Sequence, residues 1–124
     1  MKVMVVDDEQ DVELLFRQHF RKEIKDGKIH MEFAFSGHEC VDALKNRDKA
    51  DIVLILSDIN MPGMHGIELL GIIKREFPDI KVFMITAYGN DDNYRKAMEL
   101  GADDYINKPI DFDGLKEKIF SIGG

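Results

Sequence analysis

Cysteine occurs once in the 124 residues, at Cys40, so the chain cannot close an internal disulfide and must hold its fold by packing. An apolar leader and an apolar run of membrane length are also missing, and these absences together fit a cytoplasmic protein that does not enter a membrane. Basic residues are the scarcer charge: 17 Lys and Arg stand against 24 Asp and Glu, a net charge of -7. No surface selected for nucleic-acid phosphates is expected, and any phosphate chemistry needs a local cation. Internal repeats, low-complexity tracts and interdomain linkers are absent as well. A 44% hydrophobic content over a one-domain length predicts a single packed core across residues 1–124, with no room for a separate catalytic or DNA-binding unit. Cys40 reads as a small packing residue on a helix.

Short β-branched runs alternate with longer amphipathic segments, the pattern of parallel strands joined by crossover helices. Lys2 to Val6, Met31 to Phe35, Ile52 to Leu56 and Val82 to Ile85 read as strands, with a weaker fifth around Tyr105 and Ile106. The third is continuously apolar, as a strand covered on both faces should be. Val12, Leu15, Phe16, His19 and Phe20 keep helical spacing, so His19 reads as the edge of an apolar stripe rather than a ligand. Ser36 with Glu39 matches a capping box and starts a second helix that turns Cys40, Ala43 and Leu44 inward. A third helix begins near Gly66, buries Leu69, Leu70, Ile73 and Phe77, and stops at Pro78. A fourth follows Asp91 and Asp92 and ends at Gly101, a left-handed cap position. The fifth runs from about Asp113 through Leu115, Ile119 and Ile122. Gly123 and Gly124 either fray or mark where a longer protein continues.

In an open α/β sheet, ligands bind beyond the carboxyl ends of the strands. The residues just past those ends are Asp7 and Asp8, Asp58, Thr86 and Lys108. Three carboxylates drawn together repel one another unless a cation neutralises them. Mg²⁺ suits such a site, because it takes one or two carboxylates at roughly 2.0–2.1 Å and keeps waters and phosphate oxygens as its other ligands. Asp8 and Asp58 can supply the carboxylates, Asp7 can hold a coordinated water, and a carbonyl of the following loop can complete the set. Asp58, on the central strand, is the best nucleophile, since a carboxylate accepts a phosphoryl group as an acyl phosphate. Lys108 can then neutralise charge and the Thr86 hydroxyl can bond a phosphoryl oxygen. Each residue alone has a blander reading: Asp8 or Asp11 as a helix cap, Lys108 as a surface lysine, Thr86 as a turn residue. Their joint placement at strand ends makes coincidence the weaker account.

These residues resemble the receiver domains of two-component response regulators over nearly the whole chain. The matching segments are Val5 to Glu9, Ser57 to Gly66, Ile85 to Ala87 and Gly101 to Pro109. The resemblance implies a single flavodoxin-like α/β domain, chemotaxis-regulator-like, with five parallel strands in the order 2-1-3-4-5 and five helices. That order belongs to the chemotaxis member of the family and comes with the resemblance, since neither spacing nor periodicity in this chain specifies it. The resemblance also implies Asp58 as phosphoacceptor, Asp7 and Asp8 as the acidic metal pair, and Asn60 as donor of a backbone carbonyl to Mg²⁺. Thr86, Tyr105 and Lys108 match the switch and phosphate-contacting positions. The Lys108 to Pro109 peptide bond is expected to be cis.

The implied partner is a histidine kinase or phosphotransfer protein, whose phosphohistidine supplies the group. An output domain outside this chain and a phosphorylation-dependent homodimer are both compatible with that reading. Segments Tyr88, Gly89 and Pro109 to Phe112 are similar to receivers at the front of longer chains, including nucleotide-cyclase and phosphatase proteins, and Arg21 to Lys28 reads as a long charged connection. His65 departs from the family's loop pattern, where Asp is frequent, and is expected to be a solvent-facing substitution. His30 and His38 lack a ligand pattern. A haloacid-dehalogenase-type phosphohydrolase is the competing enzyme class, but it needs a second Asp where this chain has Asn60. A pseudo-receiver is opposed by the intact set of Asp7, Asp8, Asp58, Thr86 and Lys108.

Overall fold

The computed structural model describes residues 1–46, 51–87 and 91–122, with Asp91 described in its backbone only. Five strands and six helices occur among them: β1 (Lys2–Val6), α1 (Asp11–His19), α2 (Arg21–Lys25), β2 (His30–Ala34), α3 (Gly37–Lys45), β3 (Ile52–Asp58), α4 (Gly66–Glu76), β4 (Lys81–Ala87), α5 (Asp91–Glu99), β5 (Asp104–Lys108) and α6 (Phe112–Ile122). All strand pairs are parallel, and the sheet order is β2-β1-β3-β4-β5, as the resemblance implied. The sixth helix is α2. Residues 21–25, expected to be part of a charged connection, form one further helical turn because Phe20 anchors the chain in the core and Ile24 N–H bonds back to the Phe20 carbonyl.

Alternation along the strands divides the core in two. Val3 and Val5 of β1, with Leu54 and Leu56 of β3, pack against Phe16, Phe20, Leu115 and Ile119 of the α1 and α6 side. Met4, Val6 and Ile55 face the opposite layer, with Leu44 of α3, Leu70 and Ile73 of α4 and Ala97 of α5. Burying each of these larger side chains stabilises the fold by about 1.5–3 kcal/mol. β3 therefore needs an apolar side chain at nearly every position, which is why its run reads without polar interruption.

Several local signals act as expected. Ser36 Oγ accepts from Glu39 N–H at 3.0 Å and caps α3, while Glu39 Oε2 reaches past the cap residue to accept from Phe35 N–H at 3.1 Å, in place of the Ser36 N–H of a full capping box. Gly101 has a φ of 95°, the left-handed cap after α5. α4 ends at Glu76, before Pro78. Leu15 keeps its helical spacing but is 42% exposed, because Phe16 of α1 and Phe20 just after it take the buried positions and leave Leu15 on the flank. His19 is also exposed, and its ring stacks on Phe112 at 3.9 Å between centroids.

Candidate functional site

Strand register builds the site. Val6 pairs with Ser57, so Asp7 emerges level with Asp58; Asp58 pairs with Ile85, so Thr86 lies one residue farther out. On the next strand Lys108 is opposite Ala87. Parallel strands thus deliver all of these residues to one edge. Carboxylate oxygens of Asp7, Asp8 and Asp58 come within 4.8 Å of one another. Lys108 Nζ lies 3.1 Å from Asp58 Oδ1 and 3.8 Å from Asp7 Oδ2.

The environment sets the charge problem. Asp7 and Asp58 are buried, whereas Asp8 is exposed. Burial raises the Asp58 carboxyl above its ordinary pKa and Asp8 adds to that, against the opposing hydrogen bond and charge of Lys108. Burial likewise raises Asp7, outweighing its bond from Glu9 N–H, with the Asp58 charge acting in the same direction. That bond is 2.9 Å long and fixes the Asp7 carboxylate at the end of β1. For Lys108, burial disfavours the ammonium, but the hydrogen bond and charge of Asp58 prevail and its pKa is raised. One ammonium does not balance three carboxylates, and an all-oxygen donor set of this kind fits a hard divalent cation.

The capping alternative for the acidic pair is not realised: α1 is capped by Gln10 without a side-chain bond, and Asp11 lies in its first turn. Asn60 is exposed two residues beyond Asp58. Thr86 is 1% exposed. Tyr105 is half-buried on β5, and the peptide bond from Lys108 to Pro109 is cis. Tyr88 and Gly89 lie outside the described residues, as do Gly123 and Gly124.

The loop after Asp58 is held by two close approaches that residue type alone did not reveal. A Cβ on Gly66 would collide with the Asp58 carbonyl oxygen and come within 2.6 Å of Ile59 Cα. At Gly37 it would come within 2.7 Å of Met64 Sδ. A Gly at each helix start was the available signal. His65 is a correction: rather than simply facing solvent, its Nδ1 accepts from Ile67 N–H at 3.2 Å and caps α4. Imidazole here supplies the acceptor that an Asp would supply by its carboxylate. Beside the acidic edge, an apolar cavity of about 300 Å³ is lined by residues including Val12, Leu15, Pro109, Ile110 and Phe112.

The family model described as the response regulator receiver domain matches residues 3–120. The chain belongs to this family. Receiver domains are phosphoacceptor signalling domains of two-component response regulators. Among similar curated proteins, the cyclic di-GMP phosphodiesterase of Thermotoga maritima is 34% identical over 119 residues, covering 96% of this chain and 30% of the relative. Sporulation initiation phosphotransferase F of Bacillus subtilis is 33% identical over 118 residues, covering 95% of this chain and 90% of the relative. The chain therefore spans nearly all of one relative and under a third of the other. A solved CheY-like receiver domain protein from Methanospirillum hungatei superposes with a TM-score of 0.85 at 30% identity, covering 97% of this chain and 90% of that one. None of the described helices is long and apolar enough to cross a membrane.

Proposed function

We propose that this receiver domain, residues 1–124, is a phosphoacceptor switch in which Asp58 takes a phosphoryl group from a phosphohistidine of a histidine kinase or phosphotransfer protein. The observation that carries this reading is the convergence of Asp7, Asp8 and Asp58 within 4.8 Å, with the Lys108 ammonium 3.1 Å from the Asp58 carboxylate. A carboxylate oxygen of Asp58 forms the new O–P bond as the donor's N–P bond breaks, and the bonding electron pair returns to the donor imidazole. Lys108 stays beside the acceptor and meets the negative charge of the incoming oxygens. Asp7, Asp8, Asp58 and the backbone carbonyl of Asn60 would hold Mg²⁺, which when bound supplies charge neutralisation for the transferred group. The cytoplasm is the setting that goes with this reading.

Donor access is through the rim of the acidic edge. The cavity beside it offers Leu15, Pro109 and Ile110 as apolar footing for a protein donor, and Leu14 of α1 is 70% exposed. The response is proposed to pass through Thr86 and Tyr105 to the face of α5, β5 and α6, where phosphorylation-dependent pairing with an output domain or a second copy would occur. One hydroxyl bond contributes about 0.5–1.5 kcal/mol, whereas full switching from about 1:99 to 99:1 requires roughly 5.5 kcal/mol. Thr86 therefore shares the work with Lys108 and the loop that follows β4.

Incubation with acetyl phosphate, followed by ³¹P NMR with Mg²⁺ or with a chelator, tests the chemistry. One acyl phosphate per chain, formed with Mg²⁺ and slowly lost, is expected. Continuous turnover of external phosphoesters without a protein-bound phosphate would point to a hydrolase, and no incorporation under any condition would point to a pure interaction module.

A further inference from the structure

Tyr105 carries an unusual burden for a half-buried residue. Its hydroxyl oxygen is shut off from solvent and has no hydrogen-bond partner among the described residues. An unpaired buried hydroxyl is disfavoured, so another contact must hold the ring in this position. That contact is Tyr94. The two rings meet edge-to-face, with centroids 4.9 Å apart and planes at 84°, a favourable aromatic geometry.

Placement of Tyr94 follows from α5. Ala97, one turn farther along, is completely buried against the sheet, and its small side chain lets the helix lie close to β5. Tyr94 itself is 49% exposed. An outer ring at the surface thus covers an inner ring whose buried hydroxyl has no partner among the described residues. Anything that tilts α5 or engages Tyr94 acts directly on Tyr105.

We infer that Tyr94 is a positioning residue of the switch: its ring holds the Tyr105 hydroxyl inside, and its displacement frees Tyr105 to turn outward. The inference rests on the assignment of Tyr105 as a switch residue in the function proposed above. Tyr94 touches neither Asp58 nor the acidic edge in this scheme, so phosphoryl incorporation is unchanged by its replacement.

Uniform 3-fluorotyrosine labelling and ¹⁹F NMR provide the test, since the chain has three tyrosines that single Tyr→Phe substitutions can assign. The H₂O-to-D₂O shift of the Tyr105 signal reports its exposure. Tyr94→Phe keeps the edge-to-face ring and should retain the buried signal. Tyr94→Ala and Tyr94→Leu should raise the exposed-to-buried ratio of Tyr105 about two- to tenfold, the range expected for loss of an aromatic pair. The Leu variant retains apolar bulk and carries the test should the Ala variant fail to fold. An unmoved Tyr105 signal in the Leu variant overturns the inference, as does a Phe variant that behaves like Ala. Acetyl phosphate labelling of the same samples separates the two levels: absent incorporation in the parent overturns the function proposed above, whereas normal incorporation with an unmoved Tyr105 overturns only the role of Tyr94.

Discussion

Asp58 is both the proposed nucleophile and an electrostatic liability. Burial, supported by the charge of Asp8, holds its carboxyl above the ordinary value despite Lys108, and burial acts in the same sense on Asp7. Groups raised in the fold contribute stability below their ordinary carboxylate values, and that contribution is lost as pH rises through the raised values. At neutral pH without a divalent ion, the ionised pair therefore weakens the fold. Asp58→Asn should stabilise the domain at pH 7 by on the order of 1 kcal/mol, or about 3–6 °C in Tm for a domain of this size. The gain should shrink as pH falls through the raised value of Asp58 and be smallest at and below the ordinary carboxylate range, where Asp58 of the parent is already protonated. Thermal melts at pH 7 and in that acidic range check this, and an Asn variant less stable than its parent at pH 7 would contradict it. The convergence of Asp7, Asp8, Asp58 and Lys108 was readable because strand ends in a wound sheet share one edge. His65 was not, because whether an imidazole caps a helix depends on a local backbone path that residue type does not reveal.

Two glycines of α4 show how one element serves the site. Gly66 sits where the helix start presses on the Asp58 carbonyl and Ile59, so Gly66→Ala should destabilise the domain by about 1–3 kcal/mol through overpacking and displace the end of β3. Gly71 has open space where a Cβ would go, so Gly71→Ala should stabilise by roughly 0.5–1 kcal/mol through helix propensity alone. Urea melts of both variants give the signs, and equal effects would remove the packing explanation. Element types were legible from periodicity and capping, down to the Ser36 cap and the left-handed Gly101. The turn of α2 was hidden because Arg21–Lys25 offers the core only a partly buried Ile24 and follows from the anchoring of Phe20 instead. The contact between Tyr94 and Tyr105 was hidden for another reason, since helix-to-strand ring pairs depend on how closely α5 packs.

Across the whole molecule, the parallel sheet and its two apolar layers turn separate strand ends into one acidic site. The strand order was available from family resemblance, whereas the register that levels Asp7 with Asp58 needed the structure. On the proposed reading, Mg²⁺ at about ten times its Kd should stabilise the domain by about 1.4 kcal/mol, through mass action on the folded state. Asp8→Ala should abolish the gain, and an equal Mg²⁺-dependent rise in Tm in that variant would remove Asp8 from the metal set. The central claim concerns the bond formed at Asp58. Intact-mass spectrometry after treatment with acetyl phosphate and Mg²⁺ should find one phosphoryl group on the parent and none on Asp58→Asn, both proteins remaining folded; equal incorporation in the Asn variant would place the acceptor elsewhere and contradict the account.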